Sequence, residues 1–352
     1  MAITGIGAIT PIGTGSAQLW EGVRNEVRSV RQISRFDASG FSSQIAAEVD
    51  FDPLDYMTAQ RARRLDRYSQ FAMVSAQMAM EDAGVCPTQL SARGAGSYVG
   101  SALGGVAFGE IQHEAFLDGG PKNVNPLLAL SVFGGAASSN ISIEFGLTGP
   151  SLAIGNSCAA GMIAIGEAAR LIASGRADMM LAGGAEAPLA PLTFGAFSLI
   201  RVLSTRNDDP LTASRPFDAG RDGFVMAEGA CMLMLERSDH ALARGARIYA
   251  EISGYATTND AHHMTAPRPD ALQAARAING ALDDACLPPD AVGYVNAHGS
   301  STMLNDSTEC KAVRLALGKH ADRVAMSGTK GQHGHALGAT GAMEAAICAM
   351  AL

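Results

Sequence analysis

The segment 151-SLAIGNSCAAGMIAIG-166 sets the architecture of this 352-residue chain. Ser151–Ile154 reads as a short strand, and Gly155-Asn156 breaks it. A helix of small residues then runs from Ser157 to Ser174, where Gly175 stops it. Met179–Gly183 reads as a second strand. Strand, helix and strand in direct succession are the mark of an α/β fold. Cys158 falls at the start of the helix, directly after the first strand.

The same alternation extends to both sides. Ala2–Ala8, Gly96–Ser101 and Ala230–Leu235 read as strands. Residues 62–83 (ARRLDRYSQFAMVSAQMAMEDA) carry apolar positions at helical spacing and end before Gly84, and Asn125–Phe145 reads as helices. From Ile248 the order starts again. Ile248–Thr257, Val292–Asn296 and Val324–Ser327 read as strands, and Asp270–Ala285, Asp306–Leu317 and Thr340–Leu352 as helices. The repeat divides the chain into halves over residues 1–240 and 241–352. It also places Cys158 and the Gly334–Gly341 loop at equivalent third-helix starts.

Composition narrows the function classes. The chain is 47% hydrophobic and 17% charged, against a usual charged share of about a quarter. That excludes a disordered chain and implies a large buried interior or a subunit interface. A net charge of −8 argues against nucleic acid as the main partner. The cysteines (86, 158, 231, 286, 310 and 348) form no CxxC pair, so neither a zinc site nor a disulfide framework is read, and a reducing cytoplasm is expected. The start MAITGIGAI has no basic region before an apolar one, so no signal peptide is expected. The uncharged runs 123–143 and 145–166 reach the ~20 residues of a membrane span. Asn, Ser, Gly and Gly149-Pro150 interrupt them, which fits buried core instead.

Three residues could carry chemistry. At a helix start the dipole and free N–H groups stabilise a thiolate, which predicts a lowered pKa and a nucleophilic Cys158. Its small neighbours Ser157, Ala159, Ala160 and Gly161 leave room for a bulky acyl group. A buried structural role is the commoner one for a cysteine and suits the other five. His298 lies in 294-YVNAHGSST-302 and His335 in 327-SGTKGQHGHALGATG-341, both on loops past strand ends. Catalytic groups concentrate there, although each alone could equally be a hydrogen-bonded loop histidine. His262, His263 and His333 lack HExxH or carboxylate spacing, so no metal site is read. Gly5-Ile6-Gly7 begins a GxGxxG pattern without its third glycine, so no dinucleotide site is read either.

Taken together, the motifs resemble an elongating β-ketoacyl-acyl-carrier-protein synthase, a condensing enzyme of fatty-acid and polyketide synthesis in the thiolase-like superfamily. The resemblance spans nearly the whole chain. It is carried by 3-ITGIGAITPIG-13, the Cys158 segment, 182-AGGAEA-187, 203-LSTRNDDPLTASRPFDAGRDGFVMAEGA-230, 295-VNAHGSST-302 and 328-GTKGQHGHALGATGAMEA-345. It implies a five-layered αβαβα fold of two duplicated halves, assembled as a homodimer or a heterodimer. Cys158 would be the nucleophile that takes the acyl chain as a thioester. His298 and His335 would drive decarboxylation of a malonyl-thioester by donating N–H bonds to its carbonyl. The Cys158 N–H would supply one oxyanion donor. Lys330 matches the family's active-site lysine and Glu344 its partner carboxylate. Ser300 and Thr302 match hydroxyls that bind the pantetheine arm, and Leu103 and Phe197 fall where the acyl pocket is lined or gated. Arg63, Arg64 and Arg67, with Arg201, would dock an acidic acyl carrier protein. The carrier would bring its own phosphopantetheine arm, and no other cofactor, metal or membrane is implied.

The sequence also departs from the family pattern. Met162 and Ile163 stand where relatives often carry smaller or polar residues, an expected change of pocket shape. The family's two further strands, and its glycine-rich loop with a gating Phe and a second oxyanion donor, have no counterpart in this sequence, so a second half short of those strands is expected. A non-catalytic or chain-length-determining partner of a heterodimeric ketosynthase is the alternative, and the retained Cys158 argues against it. Starter-unit enzymes pair Cys with His and Asn, and thiolases use a second Cys. Histidine at both 298 and 335 favours elongation.

Overall fold

A computed structural model describes residues 1–352, the side chain of Ala92 excepted. In chain order, the strands are β1 (Ala2–Thr10), β2 (Gly13–Thr14), β3 (Arg31–Gln32), β4 (Ile45–Ala46), β5 (Gly96–Gly100), β6 (Ser151–Ile154), β7 (Met179–Glu186), β8 (Gly229–Glu236), β9 (Ala250–Glu251), β10 (Tyr294–Asn296) and β11 (Ala325–Ser327). The helices of the first half are α1 (Gly15–Arg24), α2 (Ala59–Ala62), α3 (Arg67–Asp82), α4 (Pro87–Ala92), α5 (Val106–Gly119), α6 (Leu128–Ser131), α7 (Ala136–Phe145), α8 (Ala160–Ala173), α9 (Pro191–Leu199) and α10 (Ser238–Ala243). The second half adds α11 (Leu272–Asp284), α12 (Met303–Leu317), α13 (Lys330–His333) and α14 (Thr340–Ala351).

The main sheet has seven strands in the order β2-β1-β8-β7-β5-β6, with β9 against β1. It is mixed, because β5 pairs parallel with β6 and β7 while β8 runs antiparallel to β1 and β7. Every residue of β1, β7 and β8 is buried. That requires cover on both faces, which explains why these strands read as continuous apolar runs. Helices α3 and α7 cover one face through Phe71, Val74, Ile141 and Phe145. Helices α8 and α14 cover the other through Ile165, Ile172, Met343 and Ile347. On their far side lies the parallel pair β10–β11. Its Val295 and Met326 pack with Ile278 of α11 and Val313 of α12, completing the αβαβα order.

Two expectations are corrected. The strand expected over Ile248–Thr257 is a ladder only at Ala250–Glu251, and it pairs with β1 of the first half rather than with β10. Past Glu251 only Ile252 continues the pairing, its N–H donating to Met1 O at 2.7 Å and its carbonyl accepting from the Met1 amino group at 3.2 Å. The helix expected over 62–83 starts at Arg67, and residues 63–66 form a break after the short α2. The uncharged runs divide into α6, α7, β6 and the start of α8, and no helix is long and apolar enough to cross a membrane. At the end of the sheet, β6 has β5 on one side and no strand on the other, with Leu152 50% exposed.

Gly5 and Gly7, which suggested half of a phosphate-binding motif, serve packing. A Cβ on Gly5 would lie 2.0 Å from the Ala79 carbonyl oxygen, and one on Gly7 would lie 1.9 Å from that of Ser75. Helix α3 therefore rests directly on the β1 backbone. Gly7→Ala should destabilise the fold by about 3 kcal/mol through overpacking, read as a lowered urea midpoint. An unchanged midpoint would disprove the close approach.

Candidate active site

Two helix starts build the site. Each begins with a tight 3₁₀ turn, Ser157–Ala159 before α8 and Leu337–Ala339 before α14. Each turn contains a non-glycine residue in the left-handed region, Ser157 at φ 50° and Leu337 at φ 40°. Such residues persist only where the surroundings enforce them. The turns meet at glycines. A Cβ on Gly161 would lie 2.7 Å from the Gly338 carbonyl oxygen, and one on Gly341 would lie 3.0 Å from Cβ of Met162. The equivalence expected of the Cys158 helix and the Gly334–Gly341 loop is thus a physical contact.

This contact brings His335 to Cys158, with Nε2 3.1 Å from Sγ. The His335 backbone is locked to the first half. Its N–H donates to Val225 O at 2.8 Å, and its carbonyl accepts from Ala227 N–H at 3.0 Å. Its Nδ1 lies 3.0 Å from the Thr340 hydroxyl, and its ring meets Phe224 edge-on at 5.2 Å. His298 follows β10, and its ring centroid is 5.2 Å from that of His335 at an interplanar angle of 80°. Glu309 accepts from the backbone N–H groups of His298 at 2.5 Å and Gly299 at 2.8 Å. The His298 carbonyl accepts from the Lys330 ammonium. Lys330 is no surface lysine: its side chain is 1% exposed and its Nζ is 2.6 Å from Oε1 of Glu344. Glu344 also accepts from the Thr329 hydroxyl at 3.2 Å.

Burial dominates the electrostatics. It pushes His298 down to about 3, with the Lys330 charge adding to the effect. Burial also holds His335 well below the usual imidazole range, helped by His298 and Lys330. Both rings are therefore neutral at physiological pH. Burial raises the Cys158 thiol, against the opposing influences of Ser157 and Lys330. The lowered pKa expected at the helix start is corrected: desolvation moves the thiol the other way, with His335 Nε2 within reach of its proton.

Cys158, His298 and His335 line one cavity of about 400 Å³, together with Ser300, Thr302 and Phe197. The Ser300 and Thr302 hydroxyls are 3.0 Å apart, and Thr302 also caps α12 by accepting from Asn305 N–H at 3.3 Å. Leu103 is not on this wall. It packs against the same apolar cluster as Cys158 and Phe197, while its N–H donates to Glu186 at 3.1 Å. Met162 and Ile163 are not among the residues that line it. The basic cluster divides. Arg67 turns inward, giving Glu228 two bonds of 2.9 and 2.7 Å and lying 4.5 Å from the Phe71 ring centroid. It is thus unavailable as an exposed docking residue. Arg63, Arg64 and Arg201 are exposed.

Sequence reading missed four supporting residues: Glu309, Phe224, Thr340 and Glu186. Glu186 is fully buried and accepts from Ser101 Oγ at 3.0 Å and from the N–H groups of Ala102 at 2.6 Å and Gly338 at 3.0 Å. It thereby ties the loop after β5 to the turn before α14. Burial pushes it up to about 7. Thr340, Glu186 and Phe224 lie inside quoted motifs, but Glu309 had no local signal.

Comparison with known proteins agrees with this geometry. Residues 1–241 match the beta-ketoacyl synthase N-terminal domain and residues 249–352 its C-terminal domain. The chain is 45% identical over 353 aligned residues to a 3-oxoacyl-[acyl-carrier-protein] synthase 2 of Synechocystis, and 42% identical to that of Coxiella burnetii. Both alignments cover 100% of this chain and 85% of the relative. Among solved structures, the ishigamide ketosynthase/chain length factor superposes with a TM-score of 0.92 at 35% identity, covering 99% of this chain and 85% of that one. A beta-ketoacyl synthase from Burkholderia phymatum gives 0.90 at 35% identity with the same coverages. The chain belongs to the β-ketoacyl synthase family. It is an acyltransferase of the condensing class.

The buried pair is open to test. Lys330→Ala should cost about 3–5 kcal/mol, because it leaves Glu344 buried without its cation. The double variant Lys330→Met/Glu344→Leu should lose less than the sum of the single changes in urea unfolding. Simple additivity would refute the pairing.

Proposed function

We propose that the protein elongates acyl chains by decarboxylative Claisen condensation. The observation that carries this reading is the single cavity in which the Cys158 thiol faces two neutral imidazoles. In the first step Sγ attacks an acyl thioester. The new S–C bond forms as the old C–S bond breaks, and the thiol proton ends on the departing pantetheine sulfur. In the second step the malonyl C–C bond to its carboxylate breaks and CO₂ leaves. The enolate oxygen accepts N–H bonds from His298 and His335, which do not first have to shed a charge. The carbanion then attacks the acyl carbonyl, and the Cys158 thiolate departs and regains a proton from solvent. Preorganised donors of this kind are worth about 2.7–4 kcal/mol each.

The substrate carrier in this reading is an acyl carrier protein. One structural neighbour, with a TM-score of 0.89, is described as a type II polyketide acyl-carrier protein in complex with its ketosynthase. The exposed Arg63, Arg64 and Arg201 offer such a carrier positive charge. Incubation with acyl-carrier protein should add acyl mass to the chain but not to Cys158→Ala. Charge reversal at Arg63 and Arg64 should raise KM for the carrier while leaving kcat unchanged. Malonyl-carrier decarboxylation should persist in Cys158→Ala and fall by about 10²–10³-fold in His298→Ala. Because burial lowers the imidazoles, their reactive neutral forms last far below the usual imidazole pKa. The decarboxylation rate should therefore stay flat from pH 8 to 5.5, and a fall centred near ~6.5, the unperturbed histidine value, contradicts the neutral-donor role.

We also propose that two copies pair along β6. Its outer edge is unpaired and Leu152 is half exposed, a hazard in a monomer that a twofold partner removes. Ultracentrifugation should find a dimer that Ala153→Pro converts to monomer. A wild-type monomer at tens of micromolar would rule the pairing out.

A further inference from the structure

We propose that Cys158, His298 and His335 form a binding site for one borderline-soft divalent transition-metal ion of the Zn²⁺ class, and that the ion competes with acylation. The inference rests on the donor geometry and not on the condensation reaction. One ligand atom from each residue lies within 4.8 Å of the other two. Zn–N bonds of about 2.0 Å and Zn–S bonds of about 2.3 Å place tetrahedral ligand atoms roughly 3.3–3.6 Å apart. The Sγ–Nε2 separation of 3.1 Å is already close to one such edge. The other two separations, at most 4.8 Å, have to close toward the same edge length.

The donor set selects the metal class. Two imidazoles and a thiolate suit zinc, cobalt or copper, whereas magnesium and calcium require oxygen ligands. All three donors line the cavity, which leaves a tetrahedral ion one position for water or another ligand. The Thr340 hydroxyl, 3.0 Å from Nδ1 of His335, can accept as well as donate. It thus supports the tautomer that presents a bare Nε2 to a metal. The His298 backbone is clamped between Glu309 and Lys330. The Lys330 charge opposes a nearby cation. However, its Nζ sits 2.6 Å from Glu344, so an incoming ion meets an ion pair and not a free ammonium.

Coordination is balanced without a redox partner. The Cys158 S–H bond breaks, its proton passes to solvent, and an S–metal bond forms with no electron transferred. An acylated Cys158 has no thiolate to offer. Metal and acyl group therefore exclude each other, and the metal-bound protein is a reversibly silenced form.

The test uses the tag-free chain under anaerobic conditions, with Co²⁺ and Zn²⁺ as probes. One equivalent of Co²⁺ should give the near-ultraviolet charge-transfer band of a thiolate ligand. The band should be absent in Cys158→Ala and weakened in His298→Ala, with both variants checked for unchanged thermal unfolding. One equivalent of Zn²⁺ should slow iodoacetamide alkylation of Cys158 at least tenfold, and chelation should restore it. A band that persists in Cys158→Ala would assign the metal to another cysteine and overturn the site. Unprotected alkylation, or no binding by the wild-type chain, would overturn it equally. Failure of the acylation assay would leave these spectroscopic results intact, so the two readings can fail separately.

Discussion

The structure depends on the contact between the turns that open α8 and α14. Gly161 lies against the Gly338 carbonyl, too close for a larger side chain, and Gly341 packs tightly against Met162. From that contact follow the left-handed residues Ser157 and Leu337, the 3.1 Å approach of His335 to Cys158, and the shared helix layer between the sheets. Both helices must therefore be built of small residues where they meet. The runs CAAG and GATG, which look featureless as sequence, are what lets the two halves share one site.

The clamp around that contact is polar and buried. Glu186 binds the loop after β5 to Gly338, and Val225 and Ala227 bracket the His335 backbone. Lys330 and Glu344 fix the His298 loop from below. Each buried polar group is costly alone and tolerable only with its partners in place. The network therefore gives the loops one arrangement and penalises others. Buried charge is weak evidence of stability, but here it is well placed to hold geometry.

How much of this was legible varied with the range of the interaction. The α/β alternation, the repeat and the Cys–His–His set lay in local pattern and motif. The inward turn of Arg67 did not, because its partner Glu228 is 161 residues away and a basic cluster looks the same on either side of a helix. The pairing of Ala250–Glu251 was hidden for a similar reason: its partner β1 lies at the opposite end of the sequence. Glu309 and Glu186 looked like ordinary acidic residues, since only folding puts backbone N–H groups around them. The thiol was misjudged in direction because the helix start is visible in sequence and the desolvation opposing it is not.

That desolvation bears directly on the proposed reaction. His335 has to act in two senses, first as acceptor for the Cys158 proton and then as donor to the enolate. A charged ring could not accept, and a ring fixed in one tautomer could not do both. Burial keeps the ring neutral, and at Nδ1 it meets a hydroxyl, a group able either to donate or to accept. A carboxylate in place of Thr340 would only accept. It would fix the proton on Nδ1, stabilise an imidazolium and leave Nε2 without an N–H for the enolate. The hydroxyl follows from the same demand as the burial: one imidazole, neutral at rest, accepts a proton in one step and donates an N–H bond in the other.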